Sequence, residues 1–274
     1  MSQFLEIICV GNELLIGKTL NTNAQWLAKR ITSLGLFIHR VTVVSDNIEE
    51  ISCVLQETIH RSPSFILITG GLGPTFDDKT LEGVAAALGC RTEVNEEALE
   101  MVKSKYLSYV QEGRMDAVEL TPYRVKMAKF PEGATPLHNP VGTAPAVSIE
   151  HENVTIIALP GVPSEMKSIF YTSVAPILKQ VACGVTFFET SIHSTIVMES
   201  EMAPLIDMVM KNNPQVYIKS HPKGTERIPY IEFHLSTTAK NTITARNLVC
   251  NAVIQLTELI QENGGKIKSI TSEI

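Results

Sequence analysis

The chain has 274 residues, of which 44% are hydrophobic, and a formal net charge of −6. That length and apolar content suffice for a full core and suggest two domains, while the acidic balance gives no general pull toward nucleic acid or anionic membranes. No apolar run approaches the roughly 18 residues of a membrane helix, and the five dispersed cysteines form no C-x-x-C pair; the composition therefore predicts a cytoplasmic globular protein with reduced thiols.

Phe4 to Val10 follows no basic region, so it reads as a first strand rather than a signal peptide. It runs into Gly11-Asn12-Glu13-Leu14-Leu15-Ile16-Gly17-Lys18-Thr19. A phosphate-binding P-loop places four residues between its first glycine and Gly-Lys-Ser/Thr, and here there are five, three of them bulky and apolar, which argues against that cradle. Asn21, Thr22 and Asn23 are each able to cap the helix expected over residues 24–34, which Gly35 ends. Phe37 to Val44 is a second strand. Asp46, with Glu49 three residues on, has the pattern of a capping box, and Ile48, Ile51, Val54, Leu55 and Ile59 give the following helix one apolar face.

Residues 65–80 are the centre of the chain. Phe65-Ile66-Leu67-Ile68 reads as a buried strand and stops at Thr69-Gly70-Gly71-Leu72-Gly73. Three glycines in four positions allow a sharp turn whose amides suit phosphate oxygens. Asp77 and Asp78 follow at once, and carboxylates beside phosphate require a divalent cation between them, Mg²⁺ first among the candidates. A helix begins near Lys79, with Asp78 or Thr80 as cap, and ends at Gly89; another covers 96–111. Pro122, Pro131 and Pro136 break the pattern over 114–138. Residues 146–149 and 154–159 form a hairpin, and Ser164 is placed to cap a helix running to Val181 with a kink at Pro176. Alternating strands and helices of these lengths predict an α/β layered domain with a mostly parallel sheet. Ligands bind outside the carboxyl ends of such strands, so Glu13, Asp46, the Gly70–Asp78 loop and the Pro160–Glu165 loop should share one rim.

From about Gly184 a smaller α+β pattern begins. Strands are expected over 187–197, 216–220 and 228–236, with helices over 202–211 and 241–261, the second ended by Gly264-Gly265. Residues 183–266 carry seven Lys or Arg against eight Asp or Glu and no G-x-x-G loop, so no nucleic-acid role follows.

Four strings, G-N-E-L-L-I-G-K-T-L-N-T-N, T-G-G-L-G-P-T-F-D-D-K-T, N-P-V-G-T-A-P and L-P-G-V-P-S-E-M, occur in order and resemble the CinA family within the molybdopterin-binding superfamily. The resemblance implies a three-layer α/β/α molybdopterin-binding-like domain over 1–180 and a small KH-like α+β domain over 184–266. It implies Asp46 and Asp78 as metal ligands and, with Glu13, as the catalytic set. Gly70, Gly71, Gly73, Thr75, Asn23, Asn139, Gly142, Thr143, Gly161, Pro163 and Glu165 are the implied substrate-binding residues. The implied activity is hydrolysis of ADP-ribose or a similar dinucleotide diphosphate such as FAD, dependent on Mg, Mn or Co. The wider superfamily implies the alternative of molybdopterin binding with adenylyl transfer, and a non-catalytic nucleotide or pterin binder is a third reading. A homo-oligomer, dimer or trimer, is expected, with residues 221–227 reaching a partner subunit's site. Longer CinA proteins carry a C-terminal amidohydrolase domain, an activity not expected of a chain ending at Ile274.

Overall fold

The computed structural model describes residues 4–182, 184–224 and 230–272. It divides into two compact units, Met1–Ile31 with Leu36–Val181, and Thr32–Gly35 with Ala182–Ile274.

The first unit opens with β1 (Phe4–Val10), a single turn α1 (Asn12–Leu15) and α2 (Thr22–Ser33). β2 (Phe37–Val44), α3 (Ile48–His60), β3 (Phe65–Thr69), α4 (Thr80–Leu88), β4 (Thr92–Val94) and α5 (Glu96–Gln111) follow. The stretch that proline left unreadable holds the short α6 (Pro122–Lys126), β5 (Lys129–Pro131) and β6 (Thr135–Leu137). β7 (Ala146–His151) and β8 (Val154–Leu159) form the expected hairpin, and α7 (Pro163–Ile169) and α8 (Ala175–Val181) close the unit. The main sheet has the order β2-β1-β3-β8-β7-β6. β2, β1, β3 and β8 run parallel, β7 pairs antiparallel with β8, and β6 pairs antiparallel with β7. β3 is buried at every residue, as a strand covered by helices on both faces must be. Ile8, Ile66, Ile68, Leu55, Val84 and Ile156 sit in the core that results.

Three caps differ from expectation. Asn47, not Asp46, caps α3, its side chain accepting from the Glu50 N–H at 3.0 Å, so Asp46 is released from the helix end. Neither Asp78 nor Thr80 caps α4, whose N-cap is Lys79 without a side-chain bond; the Thr80 hydroxyl instead donates to the Gly70 carbonyl at 2.7 Å. α7 starts at Pro163 with Val162 as N-cap, because proline's fixed φ suits the first helical position and displaces Ser164 inward. Where a kink was expected at Pro176, the structure has a π turn over Phe170–Val174 just before it. Pro176 has no N–H for the preceding turn, and the helix widens there.

In the second unit, β9 (Thr186–Thr195), α9 (Glu199–Asn212), β10 (Tyr217–Pro222), β11 (Tyr230–Ala239), α10 (Thr242–Glu262) and β12 (Lys266–Thr271) form an antiparallel sheet of order β10-β11-β9-β12. The β-α-β-β-α-β connectivity is that of a split β-α-β fold. The sequence left β12 unread. Ile192, Phe233, Leu235, Val249 and Leu256 share a core of their own. Cys183, and residues 225–229 of the loop expected to reach a partner and of the strand expected from Ile228, lie outside the described residues. No helix among the described residues is long and apolar enough to cross a membrane.

Candidate functional site

The carboxyl ends of β1 and β3 open into a cleft of about 260 Å³. Its walls come from the segment after β1 (Glu13, Leu14 and Thr19 to Asn23), from Asp46 after β2, from the loop after β3, and from Gly161 and Pro163 after β8. Four of the rim elements expected from the sequence therefore do meet.

The glycine turn is dictated by space. Gly70 has φ +107°, and a Cβ there would lie 2.2 Å from the Val10 carbonyl oxygen, so β1 and the turn approach as closely as backbone can. The Gly70 N–H continues the sheet by donating to the Leu159 carbonyl at 3.0 Å. It is thereby withdrawn from phosphate recognition, which leaves Gly71 to Gly73 as the candidate amides of this loop.

On the floor, the Asn23 Nδ2 donates to the Gly161 carbonyl at 2.7 Å and to Thr69 Oγ1 at 3.3 Å. The Thr69 hydroxyl in turn donates to the Pro160 carbonyl at 3.2 Å. Asn23 Oδ1 is buried and, among the described residues, has no partner. An acceptor left unpaired at a cleft floor is costly unless a ligand donor or a cation meets it.

Four carboxylates face this cleft: Glu13, Asp46, Asp77 and Asp78. Asp46 Oδ2 accepts the Asn12 N–H at 2.7 Å, which ties α1 to the end of β2. Burial raises the Asp46 pKa, the Asn12 N–H opposes this, and the charges of Glu13, Asp77 and Asp78 raise it further. Asp78 folds back on its own loop, accepting from the Thr75 N–H at 2.8 Å and standing 2.5 Å from the Thr75 hydroxyl. The same hydroxyl is 2.5 Å from Asp77 Oδ1, and hydrogen bonds from Thr75 and its own backbone hold Asp77 below the usual carboxylate range. Carboxylate oxygens with the Asn23 carbonyl are the donor chemistry a hard divalent cation takes. Among the described residues no three His, Cys, Asp or Glu side chains are already gathered as one ligand set.

Behind the loop stands Lys126, whose ammonium donates to the Thr75 carbonyl oxygen. Burial lowers its pKa, Asp78 and Glu82 act to raise it, and Lys79 repels it. Lys126 belongs to the stretch the proline spacing obscured, so no sequence signal pointed to it. Asp77, visible as half of the Asp pair, also belongs to the wall.

The remaining expected residues sit elsewhere. Asn139, Gly142 and Thr143 line a separate cavity of about 470 Å³ beside α5. Gly73 lines a small recess with Asp78 and Lys126. Asn139 is 5% exposed and uses its whole amide internally. Its Nδ2 donates to the Ala144 carbonyl at 2.9 Å and to Glu165 Oε2 at 2.7 Å, and its Oδ1 accepts from the Val141 and Gly142 N–H groups. Two donors and two acceptor sites are thus filled. Glu165 lies over Gly142, where a Cβ would be 2.0 Å from its carboxylate, so the Asn139, Gly142 and Glu165 cluster braces α7 against the turn before β7.

Residues 6–180 match the family described as probable molybdopterin binding domain. The chain belongs to that family. CinA from Thermoplasma acidophilum, whose structure was solved with its function unknown, is 38% identical; the match covers 64% of this chain and 98% of that one with a TM-score of 0.58. A protein of Pyrobaculum arsenaticum is 44% identical over 96% of this chain and 96% of its own length. One of Sulfolobus acidocaldarius is 43% identical over 97% and 98%. A CinA-like molybdopterin-binding-domain protein is what these similarities and the four motifs have in common.

Proposed function

We propose that the chain is a divalent-metal-dependent pyrophosphatase acting on ADP-ribose or a similar dinucleotide diphosphate. The observation carrying this reading is the convergence of Glu13, Asp46, Asp77 and Asp78 with the glycine turn and the unpaired Asn23 Oδ1 on one cleft. Unscreened, those carboxylates would repel a diphosphate; with a cation they become a place to hold one. Asp46 and Asp78 are the residues to hold the metal, with Glu13 beside them. When bound, the cation supplies charge neutralisation at the phosphoanhydride and lowers the pKa of water. The chain's own part is to offer the amides of Gly71 to Gly73 to phosphate oxygens and to fix the diphosphate against Asn23. Hydrolysis breaks one phosphoanhydride bond and yields AMP and ribose 5-phosphate.

The test is AMP release from ADP-ribose by purified protein with Mg²⁺, Mn²⁺ or Co²⁺. Asp78→Asn should lower kcat by about 100-fold or more with an unchanged circular dichroism spectrum; unchanged turnover would remove Asp78 from the mechanism. The family match favours a second reading, in which the same cleft binds molybdopterin and transfers adenylate to it. That reading requires pyrophosphate release from ATP only when molybdopterin is present.

A further inference from the structure

Between Gly71 and Thr80 the site loop is exposed at Thr75, Phe76 and Asp77, and its base is fixed by the Thr80 N–H and hydroxyl bonds to the Gly71 and Gly70 carbonyls. Its tip is a closed knot. The Thr75 carbonyl accepts the Asp78 N–H at 3.3 Å, while the Thr75 N–H and hydroxyl hold the Asp78 carboxylate. Such a knot keeps its own shape but has nothing in it to fix its place relative to the cleft. Among the described residues, the side-chain hydrogen bond that reaches residues 73–78 from another element is that of Lys126 to the Thr75 carbonyl.

Lys126 is well rooted for that task. It ends α6, which Thr121 caps and Pro122 starts, and the next two residues, Met127 and Ala128, are 2% and 0% exposed in the core. The Ala128 carbonyl accepts the Asn95 N–H at 2.9 Å, joining this backbone to the start of α5. A short, buried and hydrogen-bonded segment thus presents one ammonium to one carbonyl of the loop that carries both aspartates.

We propose that Lys126 is a positioning residue for this site, pinning the Thr75 carbonyl so that the Asp77 and Asp78 carboxylates stay aimed into the cleft. It touches no reacting atom in this role. The ammonium acts through Thr75, and its positive charge also offsets two adjacent negative ones. The catalytic consequence rests on the hydrolytic reading above; the mechanical one, an ordered loop tip, does not.

Two measurements on Lys126→Met, which keeps the stem and removes the ammonium, separate these. Amide hydrogen exchange on the full chain should quicken about tenfold or more over residues 75–78, the effect of losing a hydrogen bond from a charged donor, with β1 and β3 unchanged. AMP release from ADP-ribose with Mn²⁺ should show kcat lowered by about 10- to 100-fold and KM changed by less than about threefold. Lys126→Arg, which can still donate to a single carbonyl, should restore both. Unchanged exchange over 75–78 in Lys126→Met overturns the proposal, and so does quickened exchange with unaltered kcat. If wild-type protein releases no AMP, the hydrolytic reading fails and exchange alone decides the role of Lys126. Should Lys126→Met not fold, Lys126→Gln is measured in its place, and an unchanged loop there counts equally against it.

Discussion

Glu6 lies within β1 and is 1% exposed, yet it is paired with a guanidinium. Burial raises its pKa, but hydrogen bonds from Arg61 and His39 and the charges of Arg61 and Arg40 outweigh this and leave it lowered. Arg61 meets it through two nitrogens at 2.8 and 2.7 Å. A folded pKa below the unfolded one means that the pair contributes stability above the unfolded value, near 4.5, and that this is lost as pH falls through the folded value. Arg61→Met strands the carboxylate, at a cost of about 3 kcal/mol at pH 7. Because the stranded Glu6 then prefers its proton, its folded pKa lies above the unfolded value, and the deficit should shrink as pH falls through that raised value and go on shrinking as the wild-type pair is lost below about 4.5, which urea unfolding at pH 7 and pH 4 measures; a deficit independent of pH would deny the charge its role. Asp46 has the opposite sign. Its folded pKa is raised, so its ionisation costs stability as pH rises from the unfolded value through the folded one. Asp46→Asn retains an acceptor for the Asn12 N–H, and should therefore raise the melting temperature at pH 7 while lowering AMP release, the exchange of stability for function expected at a strained site.

At the scale of elements, helix starts decide which carboxylates reach the cleft. Asn47 takes the cap of α3, and one residue earlier Asp46 is left to point at the site. Asn47→Ala should cost about 1 kcal/mol of stability; if it instead costs nothing while Asp46→Ala does, Asp46 is the cap after all. This one-residue shift marks how far the sequence could be read. Asp46 with Glu49 satisfies the capping-box spacing, but Asn47 satisfies it equally with Glu50, and choosing between them needs the Asn12 N–H, 34 positions away, that draws Asp46 aside. β2, α5 and the β7–β8 hairpin were legible because their periodicity and terminal signals are local. The 92–94, 129–131 and 135–137 strands were not, since three residues carry no period and two of these strands contain proline. β12 was missed because Lys266 and Lys268 make it look like a polar tail, and only pairing with β9 defines it. Of the site, Glu13, Asp46, Asp78 and the glycine turn follow from strand-end logic, whereas Lys126 and the inward use of Asn139 depend on tertiary contacts that no spacing reveals.

At the scale of the molecule, each unit carries its own apolar core. Ile8, Ile66 and Ile156 belong to one, and Ile192, Phe233 and Leu256 to the other. All the cleft residues lie in the first unit. A cavity at the centre of the second core should therefore be felt there and not at the cleft. Phe233 is fully buried in β11, flanked in the sheet by β9 and β10, and its truncation removes about 3–5 kcal/mol. In Phe233→Ala, hydrogen exchange should accelerate throughout β9, β10, β11 and α10 as that unit opens on its own. Exchange in β1, β3 and β8, and AMP release per folded molecule, should stay within about twofold of wild type, because additivity holds for sites without shared partners. If exchange in β3 rises in parallel with that in β11, the two cores unfold as one cooperative body, and activity and second-unit stability would then fall together.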